Sequence, residues 1–138
     1  MSHDPMADQV WRLMSAVVID NKDAWRRAAV NRTGLPFSRI RILRRLSRQP
    51  MTVKQVAEAA TLDAPAATVA INDLESRGLV VREIDPENRR CKLVSLTDAG
   101  RKVVTILDEI EDPAPQALAA LGERDLAALR LILGKLAR

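Results

Sequence analysis

The chain has 138 residues, 47% of them hydrophobic, yet its aromatic side chains are only Trp11, Trp25 and Phe37. Its net charge of +4 is unevenly spread: residues 1–31 hold four basic and four acidic side chains, residues 101–138 six of each, and residues 32–100 twelve against eight. This excludes a disulfide-stapled miniprotein and favours one aliphatic, mainly helical unit over an aromatic-rich sandwich, with a central segment suited to a polyanion.

Val10, Leu13, Met14, Val17 and Val18 recur at i, i+3, i+4, i+7 and i+8, which predicts one long first helix from about Ala7 to Ala29. Asn31, Thr33, Gly34 and Pro36 should end it. A second helix is expected after Pro36, with Ile40, Ile42, Leu43 and Leu46 on one arc and Arg41, Arg44, Arg45 and Arg48 gathered on the other. Gln49-Pro50 breaks that helix, and Thr52-Val53-Lys54-Gln55 has the capping-box spacing for a third, running to about Ala60. Asp63 is an N-cap for a fourth helix with Pro65 in its first turn, and Arg77-Gly78 is its stop signal.

Two β-prone runs follow, Leu79–Ile84 and Cys91–Leu96, flanking a polar tip from Asp85 to Arg90, and together they read as a hairpin. Thr97 caps a fifth helix through about Glu111, Pro113 and Pro115 interrupt, and Asp125–Leu136 has the spacing of a last helix. The expected fold is mainly α with a small β-hairpin wing. Two short helices joined by a tight turn, the second running into a hairpin, is the order of a winged helix-turn-helix, which can lay a helix in the major groove of duplex DNA and a hairpin tip in a minor groove.

Three segments carry a resemblance to a known family: Val53-Lys54-Gln55-Val56-Ala57, Leu74-Glu75-Ser76-Arg77-Gly78-Leu79-Val80, and Asn88-Arg89-Arg90 followed by Val94-Ser95-Leu96-Thr97-Asp98-Ala99-Gly100. Together they are similar to the multiple antibiotic resistance regulator (MarR) family of bacterial transcription factors, over nearly the whole chain. The resemblance implies a single MarR-like chain over 1–138, with 7–31 and 101–138 as a helical dimerisation region and 36–100 as the DNA-binding winged helix. It implies a homodimer held by the first and last helices, binding a near-palindromic operator, usually as a repressor. The plainer alternative is a winged-helix module that binds protein and not DNA, since fold alone does not settle function.

On a helical wheel the fourth helix turns Ala67, Ala70, Ile71 and Leu74 inward and Pro65, Thr68, Val69, Asn72 and Ser76 outward. Thr68, Val69 and Asn72 are the candidate base readers, their chemistry leaning toward A·T pairs. Members of the family often carry arginine or lysine where this chain has Val69 and Asp73, so phosphate attraction must come from elsewhere. In the wing, Arg89 and Arg90 are candidates for a narrow minor groove; Asp85 could ion-pair with one of them across the hairpin, and Arg82 adds charge nearby. By resemblance Arg90 matches the wing arginine of the family. Arg39, Arg41 and Lys54 are candidate phosphate contacts, and the basic face of the second helix is as readily a solvated surface.

Catalysis finds no constellation: the one histidine, His3, lies near the terminus, and Cys91 has no second thiol beside it. No cofactor or metal site is expected, and Cys91 is not placed like a redox switch. By resemblance a small-molecule effector is a candidate further partner, with Trp11, Met14, Trp25 and Phe37 as pocket candidates, although large apolar residues at helical spacing more often build a core. The lack of a recognisable leader, and apolar runs far shorter than the ~20 residues a bilayer needs, lead to the expectation of a cytoplasmic protein without a membrane partner.

Overall fold

The computed structural model describes residues 3–137; Met1, Ser2 and Arg138, inside the predicted 1–138 span, lie outside the described residues. The elements in chain order are α1 (Pro5–Asn21), α2 (Asp23–Thr33), α3 (Phe37–Leu46), β1 (Met51–Thr52), α4 (Val53–Ala59), α5 (Ala64–Ser76), β2 (Val80–Asp85), β3 (Asn88–Leu96), α6 (Asp98–Glu109), α7 (Gln116–Ala119) and α8 (Glu123–Leu136). They form two compact units, Lys22–Glu111 and the terminal segments Met1–Asn21 with Asp112–Arg138.

The single first helix expected from the apolar spacing is two helices. Asn21 and Asp23 flank the break, residues that compete for helical backbone bonds with their own side chains. The Asn21 amide donates to the Val17 carbonyl at 2.7 Å. Lys22 keeps helical dihedrals, so the interruption is one residue wide.

Within Lys22–Glu111 the local signals act as the sequence suggests. Gly34 ends α2 at φ +69°, a conformation without penalty only for glycine. Thr52 caps α4 in a reciprocal capping box, its hydroxyl accepting from the Gln55 N–H at 3.1 Å while the Gln55 side chain accepts from the Thr52 N–H at 2.9 Å. Asp63 caps α5 by accepting from the Ala66 N–H at 2.8 Å. The core under these helices is aliphatic: Ile40, Ile42, Leu43, Ile71, Leu74, Val56, Val80, Val94 and Leu107 are all essentially inaccessible to water.

Two features were not anticipated. Residues 51–52, read only as a helix start, also form a short edge strand, and the hairpin becomes a three-stranded antiparallel sheet in the order β1-β3-β2. The wing's second strand starts three residues early, at Asn88, so Arg89 and Arg90 lie on a strand and not in the turn. The register steps from Ile84↔Lys92 to Asp85↔Asn88, a bulge that leaves Arg89, Arg90 and Cys91 unmatched on β2.

The sheet is anchored where β3 runs into α6. Thr97 donates its hydroxyl to the Gly78 carbonyl at 2.6 Å, accepts from the Gly100 N–H at 3.0 Å, and bonds through its own N–H to the Leu79 carbonyl at 3.1 Å. The α6 backbone therefore sits so close to the α5–β2 turn that a Cβ on Gly100 would lie 2.1 Å from the Leu79 carbonyl oxygen. Steric exclusion accounts for glycine at the end of the Leu96-Thr97-Asp98-Ala99-Gly100 segment.

Candidate nucleic-acid interface

Helix α5 is pressed into the core by one face. Ala67, Ala70, Ile71 and Leu74 are fully buried, as the wheel predicts, while Pro65, Thr68, Val69, Asn72 and Ser76 are all exposed. Val69 is 61% exposed, an apolar side chain left in water on the outer face.

Internal hydrogen bonds limit what the polar readers can still offer. Thr68 donates its hydroxyl hydrogen to the Ala64 carbonyl at 3.0 Å, so the oxygen has only lone pairs for an outside partner. Asn72 accepts from an Arg82 guanidinium N–H through Oδ1, leaving its amide N–H groups free. This outer face therefore presents one acceptor, one apolar contact and one donor along successive turns.

Arg82 occupies a different place from the one the sequence suggested. Its side chain lies along α5 and not toward the wing tip, with Nε 3.9 Å from the Glu75 carboxylate and its side chain 22% exposed. That Nε is buried and has no hydrogen-bond partner. Arg82 ties β2 to the outer face of α5.

Asp73 and Arg39 form a second tie. The Asp73 carboxylate accepts from Arg39 Nε at 3.0 Å and from Arg77 Nε at 3.2 Å. The Arg39 hydrogen bond, then that of Arg77, holds the Asp73 carboxyl below its ordinary value near 3.8. Arg39, a candidate phosphate contact from sequence, is thus committed to a carboxylate on α5 and only 21% exposed in its side chain. Asp73 thus links α3 to α5.

At the wing tip the expected Asp85–arginine ion pair is absent among the described residues. Asp85 accepts from the Glu87 N–H at 2.9 Å, the local bond of an Asx turn, so its carboxylate shapes the tip. Asn88 repeats the motif toward the Arg90 N–H at 3.2 Å. With both turn residues satisfied locally, Arg89 and Arg90 project into solvent.

Lys54, in the first turn of α4, and Arg41, on α3, are exposed. Trp25 is 8% exposed and meets Phe37 edge to face, ring centroids 6.2 Å apart, in the core of the Lys22–Glu111 unit. Trp11 and Met14 belong to the terminal unit, where with Ser15, Val18 and Ile19 they line a shallow apolar groove of about 200 Å³. Sequence reasoning missed Asp73, Arg77 and Glu75. The i,i+4 spacing of Asp73 and Arg77 could have signalled their pair, but Arg39 and Asp73 are 34 positions apart and carry no local signal.

The two helices, their turn, the partnered hairpin and the exposed outer face of α5 define a winged helix-turn-helix. Residues 33–90 match the model of the MarR family. The chain is 35% identical over 71 residues to the uncharacterized HTH-type transcriptional regulator YdgJ of Bacillus subtilis (strain 168), a match covering 51% of this chain and 43% of that relative, so less than half of YdgJ's length is spanned. The fold is shared with CouR from Rhodococcus jostii RHA1 bound to p-coumaroyl-CoA, at 27% identity and a TM-score of 0.68, covering 98% of this chain and 96% of that one. It is also shared with a MepR mutant from S. aureus bound to an oligodeoxyribonucleotide, at 22% identity and a TM-score of 0.61, covering 94% of each chain. Over residues 33–90, which span the winged helix, the chain is similar to the MarR family. Among the described residues no helix is long and apolar enough to cross a membrane.

Proposed function

We propose that this protein is a transcriptional regulator that binds a near-palindromic operator as a homodimer and represses by occupying it. Helix α5 enters the major groove and the β2–β3 wing reaches an adjacent minor groove. The observation that carries the reading is the composite surface: an exposed face of Thr68, Val69 and Asn72 joined through Arg82 to a wing bearing two free arginines.

The chemistry of that surface suggests how bases are read. Thr68, left with lone pairs, suits the exocyclic amine of adenine or cytosine; Val69 suits a thymine methyl; Asn72, left with donors, suits N7 or O6 of a purine or O4 of thymine. Arg89 and Arg90 supply attraction to a narrow minor groove, and Lys54 is a candidate phosphate contact.

Homodimerisation is supported by the terminal helices, which leave Trp11, Leu13, Val17 and Val18 on α1 and Leu131, Ile132 and Leu136 on α8 exposed. Apolar surface on that scale in a chain this small is most simply covered by a second copy. Two recognition helices would then fall about 34 Å apart, one turn of DNA. The CouR structure contains a small organic molecule, which supports an effector for this chain as well; the Trp11 groove is one place for its apolar part.

Selection from a pool of random duplexes over a salt series tests the proposal, comparing the native protein with Arg89→Ala/Arg90→Ala and with Asn72→Ala. A two-fold symmetric site, a steep salt dependence and weaker binding by the wing variant are expected. Weak, sequence-blind binding indifferent to both variants would favour a protein-interaction module.

A further inference from the structure

We propose that the outer face of α3 is a binding site for a small diphosphate-bearing molecule, separate from the DNA-reading surface and independent of whether the protein binds DNA. Arg41, Arg44, Arg45, Ser47 and Arg48 line a concavity of about 320 Å³, with Asp108 of α6 on its wall. Four guanidiniums against one carboxylate leave a surplus of three positive charges at the site.

These arginines differ from the others that the fold holds in place. Arg39, Arg77 and Arg82 each lie within 4.0 Å of a carboxylate oxygen. Among the described residues, none of the four lining the concavity has such a partner. Arg44 is oriented by other means: its guanidinium carbon sits 4.8 Å from the centre of the buried Trp25 ring. One member of the set is therefore held in place before any ligand arrives. Ser47 donates to the Arg44 carbonyl at 2.6 Å, so it shapes the rim and has no hydrogen left for an anion.

Helix geometry separates this face from the DNA surface. Arg39 marks the direction of α5 through Asp73. At ~100° per residue Arg41, Arg44 and Arg45 fall about 140–240° around α3 from Arg39, on the side away from α5, and Arg48 lies in the turn just past the helix end. DNA held by α5 is therefore on the wrong side of α3 to neutralise them. A small anion fits better.

The size of the cluster sets the ligand class. From Arg41 to Arg45 the row runs about 6 Å along the α3 axis, at ~1.5 Å per residue, and Arg48 extends it into the turn that follows. A lone carboxylate would meet one fork of that row. A diphosphate offers two linked groups of acceptor oxygens that several guanidiniums can chelate together, and arginine favours such bidentate contact. Its negative charge also relieves the repulsion within the cluster.

Equilibrium dialysis of the full chain against labelled inorganic pyrophosphate tests this, with sodium chloride at matched ionic strength as control and a short duplex as competitor. Saturable binding that salt alone does not abolish is expected, weakened at least tenfold in Arg41→Gln/Arg45→Gln, whose exposed sites leave the melting temperature unchanged. In a Trp11→Phe background, where Trp25 is the one remaining tryptophan, the bound anion should also change Trp25 emission through Arg44. Absence of saturable binding, or binding indifferent to the double substitution, overturns the proposal. So does pyrophosphate displaced by duplex in parallel with loss of duplex affinity in the double variant, which would make the face a DNA phosphate contact.

Discussion

The two units of this chain differ in what they can do alone. Among the described residues every buried hydrophobic side chain, from Trp25 to Leu107, lies in Lys22–Glu111, whereas α1, α7 and α8 contain none. Both regions are rich in aliphatic side chains; the difference is whether the topology supplies a second face. The winged helix surrounds its apolar stripes with α2, α3, α6 and a sheet, while Trp11 and Leu131 both remain 67% exposed. Apolar content thus measures a need for burial, and here only one unit meets that need within itself.

Breaking the terminal unit should have the largest functional effect. Replacing Leu131 and Ile132 by aspartate puts two charges on an exposed apolar surface, which costs the monomer little and should prevent a partner from covering it. Sedimentation should show a native dimer becoming a monomer, and affinity for a symmetric duplex should fall by about 100-fold or more as the second half-site is lost. A native protein that already sediments as a monomer would sink the dimer reading.

The winged helix should instead be sensitive to a single methyl group. Gly100→Ala forces a Cβ against the Leu79 carbonyl, and the clash is with backbone that Thr97 pins on both sides. The expected loss is about 1–3 kcal/mol or more, read from urea unfolding. An unchanged midpoint would mean that the α6 start is looser than this geometry requires.

Local rules made much of this unit legible before any coordinates. The Thr52 capping box, the Asp63 cap, the Gly34 and Gly78 stops and the inward arc of α5 depend on residues within four positions of one another, where side chain and backbone chemistry decide the outcome. What stayed hidden was set by contacts distant in sequence. The two residues of β1 carry no strand pattern and exist because β3 pairs with them; Arg39 finds its carboxylate on another helix; Arg82 leans across to α5. The break at Lys22 was hidden differently, because the apolar spacing continues through it. For the interface, the exposed readers were visible from periodicity, but the hydrogen-bonding capacity left to them was not.

That remaining capacity can be altered without touching a reader. Arg82→Met keeps a long apolar stem, removes a buried Nε that lacks a partner, and frees the Asn72 oxygen. Stability should change little, while base preference opposite Asn72 should shift toward adenine, which an unencumbered asparagine can contact with both donor and acceptor. The shift should be worth about 1 kcal/mol of discrimination, read by repeating the duplex selection. A uniform loss of affinity with unchanged preference would instead make Arg82 a backbone contact.

The smallest expected effect lies at the Arg39–Asp73–Arg77 tie, and its signature is a loss in acid. Because the two arginines lower the folded carboxyl's value below the ordinary one near 3.8, the folded protein holds its proton less tightly than the unfolded chain. The resulting stabilisation is present above the unfolded value of about 3.9 and is lost as pH falls through the lower folded value. Asp73→Asn removes that ionisation, so the difference in unfolding midpoint between native protein and variant should be constant near neutrality and shrink only below about pH 4. If the gap instead closes between pH 5 and 7, another titrating group supplies it; if it persists unchanged into strong acid, the contribution of Asp73 is packing rather than charge.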